Sequence, residues 1–205
     1  TQGLQLTTKY VQESGLVQAG AGMSLAQARE AKFMETAKAR VALISLSSSF
    51  ANHMRAGSSR DDMPARPGLN PLRLRTTYIL PEESFESIRS TADSLGEFTD
   101  LDGRPRGTDE NKPGEMVVLG RNFAIGDEPG IRYEPNNNDV AEILAVVENA
   151  SKLADFSIVT IHTHQNGGSR EIPPDFLPEF ARSVIDAGAD VFVGHGPHVL
   201  QGIEI

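Results

Sequence analysis

Two stretches in the second half of the chain decide its fold: residues 156–164, FSIVTIHTH, and residues 190–198, DVFVGHGPH. In each stretch, a run of apolar and β-branched residues typical of a buried strand ends on a pair of histidines. Ligands bind outside the carboxyl ends of the strands in open α/β sheets, so we expect the histidines to share one site. These two clusters hold four of the chain's five histidines: His162, His164, His195 and His198.

Strands and helices alternate around the two clusters, which favours an α/β fold with a partly parallel sheet. The polar residue Asn138 is the expected N-cap of the helix that precedes the first cluster. The predicted helices are 4–14, 24–32, 81–95, 139–152 and 175–187. The predicted strands are 16–20, 40–46, 115–125, 156–162, 190–194 and 199–205.

The composition is that of a globular protein and excludes several functions. A formal net charge of −9 argues against a nucleic-acid-binding surface, which needs clustered basic residues. Because the chain has no cysteine, any metal must be held by nitrogen and oxygen ligands. No apolar run approaches the roughly 18 residues that span a bilayer, so no membrane span is expected. The compartment, cytoplasmic or extracytoplasmic, and the oligomeric state stay open.

The histidines are interpreted as metal ligands. In a strand, His162 and His164 point to the same side, and the amide of Asn166 beside them could bind substrate. Neutral imidazoles bind zinc and iron, and they bind manganese beside carboxylates. The alternative is that each histidine only ends a strand and hydrogen-bonds to a nearby carbonyl, but their clustering favours a metal. The fifth histidine, His53, is interpreted as a loop residue.

Two polar segments interrupt the pattern. Residues 47–76 are rich in Ser, Arg, Gly and Pro and predict a long loop, and residues 99–114 predict a polar insertion. Arg66, Asn70 and Arg73 lie in a proline-stiffened part of the long loop and are candidate substrate-binding residues, since guanidinium groups bind carboxylates and phosphates. The alternative is a solvated loop in which the arginines pair with nearby aspartates.

Residues 186–204, DAGADVFVGHGPHVLQGIE, resemble the signature of the bacterial capsule-synthesis CapA family. That family is associated with poly-γ-glutamate synthesis and has the calcineurin-like metallophosphoesterase fold. Residues 159–164, 41–45 and 66–73 are also similar to it, so the resemblance runs over nearly all of the chain.

The resemblance implies part of a four-layer α/β/β/α sandwich around a centre with two divalent metal ions of the Mn, Fe or Zn type. Carried over by motif, His162 and His195 would bind one ion and His198 would reach the other. His164 would be an auxiliary ligand or a catalytic proton donor. A two-metal centre also needs bridging carboxylates, which this sequence does not single out.

The resemblance further implies that residues 1–205 are one domain, incomplete at both ends. The family's earlier ligand motifs are expected before Thr1, and a final strand is expected after Ile205. Three functions stay open. The first is a metal-dependent enzyme, hydrolase-like, of capsule or poly-γ-glutamate metabolism that acts on an anionic or peptide-like substrate. The second is a metal-dependent epimerase of a ribosomally made lasso peptide, and the third is a non-catalytic capsule-assembly component.

Overall fold

The computed structural model describes residues 2–96 and 113–205, and helices and strands alternate along both ranges. The helices are α1 (Gln2–Glu13), α2 (Leu25–Arg29), α3 (Glu82–Ser94), α4 (Asn137–Ser151) and α5 (Phe176–Asp186), with a 3₁₀ helix at Asn52–Met54. The strands are β1 (Ala21–Gly22), β2 (Lys32–Glu35), β3 (Arg40–Ser47), β4 (Gly68–Leu69), β5 (Leu74–Leu80), β6 (Glu115–Val118), β7 (Arg121–Ile125), β8 (Gly130–Pro135), β9 (Phe156–His162) and β10 (Val191–His195). This mixture confirms the predicted α/β class.

The chain divides into two compact units. The first unit joins Thr1–Leu74 to Pro135–Ile205, and the second unit is Arg75–Glu134. Both histidine clusters belong to the first unit. Among the helices of the described ranges, none combines the length and the apolar character needed to cross a bilayer.

The first unit is built on a four-stranded sheet with the order β10-β9-β3-β2. Strands β10, β9 and β3 run parallel, and β2 pairs antiparallel with β3. In this register His195 of β10 and Ser47 of β3 both lie opposite His162 of β9. The carboxyl ends of three neighbouring strands therefore meet at one edge of the sheet, which is where such sheets bind ligands.

The core of this unit fixes the strands behind that edge. Helix α4 contacts β3 and β9, and α5 contacts β10 and α4. Full burial of a branched apolar side chain contributes about 1.5–3 kcal/mol, so the packed strands have little freedom to shift. The buried side chains of the two central strands and the two helices include Ile44, Leu46, Val159, Ile161, Ile143, Val147, Phe180 and Val184.

Helix α4 begins earlier than its sequence predicts. Its N-cap is Asn136, whose side chain accepts a hydrogen bond of 3.1 Å from the backbone N–H of Asp139. The backbone N–H of Asn136 in turn donates to the carbonyl of Arg73 at 2.8 Å. The predicted cap at Asn138 is wrong, because this tertiary hydrogen bond fixes Asn136 as the cap among three consecutive asparagines.

The second unit is a sheet with the order β6-β7-β5-β8, with β5 parallel to β7. The single strand predicted over 115–125 is wrong, because this stretch is the hairpin of β6 and β7. Leu119 and Gly120 carry φ angles of 50° and 70°, the positive values that a two-residue hairpin turn needs. The core of this unit is a small cluster from α3 and β6: Phe85, Ala92, Met116 and Val118.

Two other predicted strands do not form within the described residues. Residues 16–19 are irregular and the chain bends at Gly20, where the φ of 84° is not that of a strand; a Cβ there would lie 2.8 Å from a carbonyl oxygen of β3, so the position needs glycine. Over 199–205 the chain joins no sheet, and Arg182 makes two hydrogen bonds of 2.8 Å to Glu204. The apolar pattern of this last segment predicted a buried strand. Its leucine and isoleucine side chains are instead exposed, because no described residues cover them.

The segment 47–76, predicted as a long loop, is mostly irregular. Part of it nevertheless pairs with a strand of the first unit. Its strand β4 pairs antiparallel with β1. Gly68 is needed there, because a Cβ would lie 2.4 Å from backbone atoms of residues 54–56. Strand β5 begins at Leu74, inside the predicted loop. The insertion predicted over 99–114 lies outside the described residues except for its last two.

Candidate metal centre

The ends of β9 and β10 bring two imidazoles into contact. His162 and His195 are paired in register, and their Nδ1 atoms lie 3.1 Å apart. The two rings are tilted at 51°, with centroids 5.0 Å apart. Between the two strand ends, the backbone N–H of Thr163 donates to the carbonyl of His195 at 2.8 Å. Parallel pairing thus continues just past the end of β9 and holds the two histidines together.

The other two clustered histidines adjoin this pair. The ring of His164 packs edge-on to that of His162, with a centroid distance of 4.6 Å, and lies 5.4 Å from the ring of His198. All four imidazoles of the two sequence clusters are therefore neighbours. The fifth, His53, is exposed in the 3₁₀ helix.

The second cluster adopts an unusual backbone. Gly196 has a φ of 114°, and a Cβ there would lie 2.4 Å from the carbonyl oxygen of Thr163. His198 also has a positive φ, 63°, which costs a non-glycine residue about 1–2 kcal/mol. Strain of this kind concentrates at functional sites, where the surrounding structure holds a side chain in one orientation. Gly194, by contrast, faces open space: a Cβ added there would meet no atom within 4 Å.

The electrostatics of the cluster favour the neutral form of His162. Burial lowers the pKa of His162, and the neighbouring imidazoles of His164, His195 and His198 lower it further, since positive charges at close range repel. A neutral imidazole keeps a lone pair on one nitrogen, which is the form that binds a metal ion.

The His162–His195 pair fits two positions of a metal ligand set. Two nitrogens bound to one ion at about 2.1 Å lie about 3.0 Å apart in octahedral geometry and about 3.4 Å apart in tetrahedral geometry. The observed separation of 3.1 Å lies in that interval, and it also suits an N–H···N hydrogen bond between free rings. Within 2–96 and 113–205, no group of three or more His, Asp or Glu side chains is placed to hold a metal ion.

The candidate substrate-binding residues all have other partners. Asn70 is buried, donates to the carbonyl of Ser45 at 2.9 Å and accepts from Arg29 at 3.3 Å. Arg66 is exposed and donates to two backbone carbonyls of its own loop at 3.1 and 3.4 Å. The side chain of Asn166 accepts from the N–H of Gly168 at 3.1 Å. Among the described hydrogen bonds, none joins these three residues to a histidine.

Arg73 belongs to a buried ion-pair network with α4. Its guanidinium makes two hydrogen bonds to the carboxylate of Asp139, 2.6 and 2.8 Å long, and Arg29 pairs with the same carboxylate. Arg29 and Asp139 are 4% and 0% exposed. Burial raises the pKa of Asp139, but the hydrogen bonds from Arg73 and Arg29 outweigh burial and hold it below its usual value. The network joins the end of the long loop to α2 and α4.

The three serines at the end of β3 were not identified from the sequence. Ser47, Ser48 and Ser49 border the first histidine cluster, and the backbone N–H of Ser48 donates to the carbonyl of His162 at 2.9 Å. A run of three serines after a buried strand was the available signal. It becomes informative only once β3 is known to lie beside β9.

Comparison with known proteins identifies the family. Residues 1–205 match the family model described as bacterial capsule synthesis protein PGA_cap. The chain belongs to this family. Membership in the PGA_cap family confirms the resemblance to capsule-synthesis CapA proteins that the histidine motifs carry in the sequence.

The relatives of this PGA_cap chain come from several bacteria. The proteins y4sH and y4uA of Sinorhizobium fredii are each 41% identical over 205 residues, 100% of this chain and 42% of each relative. The PGA biosynthesis protein CapA of Bacillus subtilis is 29% identical over 122 residues, 60% of this chain and 26% of that protein. A probable polyglutamine synthesis accessory protein of Mycobacterium tuberculosis is 38% identical over 82 residues, 38% of this chain and 21% of that protein. The chain thus spans less than half the length of the relatives it matches.

Proposed function

We propose that this chain contributes the histidine ligands of a divalent-metal centre in a metal-dependent, hydrolase-like protein of poly-γ-glutamate or capsule formation. The observation that carries the proposal is the pairing of His162 and His195 at neighbouring strand ends, with Nδ1 atoms 3.1 Å apart. Structural pairs of histidines also occur, but here a third and a fourth imidazole adjoin the pair. Burial and the neighbouring imidazoles lower the pKa of His162, and a perturbed pKa within a cluster of this kind is a common feature of metal and catalytic sites.

The four histidines take different roles in this proposal. His162 and His195 would hold one ion, and His198 would serve a second. A bound divalent ion of the Mn, Fe or Zn type supplies Lewis acidity, which polarises a substrate oxygen or activates water. His164, exposed beside the pair, would hold a proton at its imidazole and deliver it to the leaving group of the substrate.

The remaining ligands would come from outside these 205 residues. The matched relatives in Sinorhizobium fredii are more than twice as long as the chain, which covers 42% of each. A two-metal centre needs carboxylate ligands beside imidazoles. We therefore expect aspartate ligands in the rest of the protein to complete the centre around His162, His195 and His198.

The proposed substrate is anionic or peptide-like. The Bacillus subtilis relative is named for PGA biosynthesis and the Mycobacterium tuberculosis relative for polyglutamine synthesis, and both polymers are peptide-like. The chain itself carries a net charge of −9, so it would repel a polyanion over most of its surface. Attraction for such a substrate would then be concentrated at the metal ions and at local basic residues.

A second candidate function is a non-catalytic role in polymer assembly. The word "accessory" in the name of the Mycobacterium tuberculosis relative favours this alternative. In that case the histidine cluster would be structural, and its replacement would lower stability without removing a metal-dependent activity.

Metal analysis of the protein expressed from its own gene separates the two functions. We expect close to stoichiometric divalent metal in the wild type, and loss of metal and of capsule or polymer production in His195→Ala and His198→Ala. His53→Ala is the matched control, because His53 is exposed and lies outside the cluster. A metal-free wild type, together with normal polymer production by both cluster variants, would refute the metal-centre proposal.

A further inference from the structure

One side chain beside the histidine cluster gathers an unusual number of hydrogen bonds. The side-chain oxygen of Gln165 accepts from the hydroxyls of Ser48 at 2.9 Å, Ser49 at 2.9 Å and Thr163 at 2.8 Å. Its amide nitrogen donates to the backbone carbonyl of Ser48 at 3.3 Å. An amide oxygen has two lone pairs, so these three hydroxyls more than fill its accepting capacity. Gln165 thereby cross-links the segment after β3 to the segment after β9.

The three serines at the end of β3, residues 47–49, extend this cross-link to the backbone of the first histidine cluster. The carbonyl of His162 accepts from the backbone N–H of Ser48 at 2.9 Å and from the hydroxyl of Ser47 at 3.3 Å. The N–H of His164 donates to the hydroxyl oxygen of Ser49 at 2.7 Å. Ser49 therefore accepts from a histidine amide and donates its own proton to the glutamine.

We propose that Gln165 and Ser49 are positioning residues, which hold the backbone of residues 162–164 so that the imidazoles of His162 and His164 face the second cluster; this rests on the proposed function of those histidines. Neither residue touches substrate in this proposal. They act through the hydrogen bonds on both sides of Thr163, which is 2% exposed and therefore has little room to move. Metal sites require ligands held to within about 0.5 Å, and such support comes from side chains behind the ligands.

The chemistry of the cross-link suits a glutamine. The three hydroxyls need an acceptor and the carbonyl of Ser48 needs a donor, and the carboxamide of Gln165 offers both from one side chain. A glutamate at position 165 would place a second carboxylate oxygen against that carbonyl. Ser47 and Ser48 are 6% and 7% exposed, so water cannot readily replace a lost partner.

Amide hydrogen exchange tests the proposal without any metal. In Ser49→Ala the His164 N–H loses its acceptor, and in Gln165→Glu the cross-link loses its donor. We expect His164 to exchange on the order of tenfold faster in both variants, while the amides of β9 keep their protection. Ser94→Ala is the matched control, since Ser94 is exposed at the end of α3 and donates only within its own helix end. Wild-type exchange at His164 in Ser49→Ala and Gln165→Glu overturns the proposal.

Titration with Mn²⁺ or Zn²⁺ gives a second readout on the protein expressed from its own gene. Loss of a supporting side chain behind metal ligands typically weakens metal binding about 10–100-fold, and we expect this in Ser49→Ala and Gln165→Glu. Ser49→Thr retains the hydroxyl and should restore affinity, whereas a purely structural role would change the unfolding midpoint and leave affinity unchanged. If the wild type binds neither ion, the proposed function fails, but the exchange rates of His164 still decide the positioning proposal.

Discussion

Gly196 shows how a single residue fixes the second histidine cluster. Its φ of 114° is open to glycine but strained for other residues, and its missing side chain lets it approach the carbonyl oxygen of Thr163. Gly194, two residues earlier, meets neither condition: its backbone is that of a regular strand, and an added Cβ would meet no atom within 4 Å. The sequence motif contains both glycines, but the structure requires only one of them.

The two glycines therefore make a matched pair for mutagenesis. Gly196→Ala should lower the free energy of unfolding by at least about 2 kcal/mol, because the new Cβ clashes with backbone and the φ becomes strained. Gly194→Ala should change it by less than about 1 kcal/mol. Urea denaturation of both variants measures the difference, and equal effects would show that the close approach to Thr163 is not what constrains position 196.

At the scale of elements, α4 packs within the first unit through its apolar face and through the buried carboxylate of Asp139. Asp139 accepts three hydrogen bonds from Arg73, of 2.6, 2.8 and 2.9 Å, and pairs with buried Arg29. Removing one partner of a buried ion pair leaves the other charge uncompensated, which is more costly than losing a surface pair. The conformation of the loop that ends at Arg73 depends on this contact.

Asp139→Ala should therefore destabilise the fold by about 3 kcal/mol, since it removes the buried carboxylate paired with Arg29 and leaves that guanidinium with an ion pair to the exposed Glu142. Glu148→Gln on the same helix is the control, because Glu148 pairs with Lys152 at the surface and its loss should have little effect. Chemical denaturation at neutral pH measures both variants. A loss for Asp139→Ala no larger than that for Glu148→Gln would contradict this account of the network.

The same carboxylate predicts a dependence of stability on pH. Although burial raises the pKa of Asp139, its hydrogen bonds to Arg73 and Arg29 lower it below the usual value. Its contribution to stability is therefore complete above the unfolded pKa of about 3.9 and is lost as the pH falls through the lower folded value. Unfolding curves below about pH 4 should show a steeper loss of stability in the wild type than in Asp139→Asn. Parallel slopes would mean that the pKa of Asp139 is not lowered by folding.

The buried elements could be predicted from the sequence better than the exposed ones. Strands β3 and β9 are central and apolar, so their pattern was clear, and the histidine at the end of β9 followed from it. Strand β8 is an edge strand with mostly exposed residues such as Arg132, and it was missed because its alternating apolar residues, Ile131 and Tyr133, form too short a pattern. The hairpin of β6 and β7 resembles one strand in sequence because Leu119, an unusual residue for a positive φ, hides the turn.

The grouping of the four histidines was predictable from the sequence, but the hydrogen bonds behind them were not. Histidines at the ends of neighbouring strands could be grouped from the sequence because parallel strands place their carboxyl ends together. The role of Gln165 could not be derived, since it depends on the pairing of β3 with β9 across more than a hundred residues of chain. For the same reason the ion pair of Arg73 with Asp139 of α4 could not be derived from the sequence.

At the scale of the whole molecule, we propose that the fold of this PGA_cap family member brings His162 and His195 together as ligands of one metal ion. The chain covers 42% of its relatives in Sinorhizobium fredii, so a test must use the protein expressed from its own gene. Replacing either histidine should reduce metal content, and replacing both should reduce it no further at that position, because the two rings serve one ion.

The most direct measurement is anomalous X-ray diffraction from crystals of that protein grown with Mn²⁺ or Zn²⁺. We expect an anomalous peak about 2.0–2.2 Å from one nitrogen of His162 and from one nitrogen of His195. Two results would contradict this expectation. One is a peak bound elsewhere. The other is the absence of a peak beside the two Nδ1 atoms at saturating metal, with these atoms still 3.1 Å apart in a direct hydrogen bond.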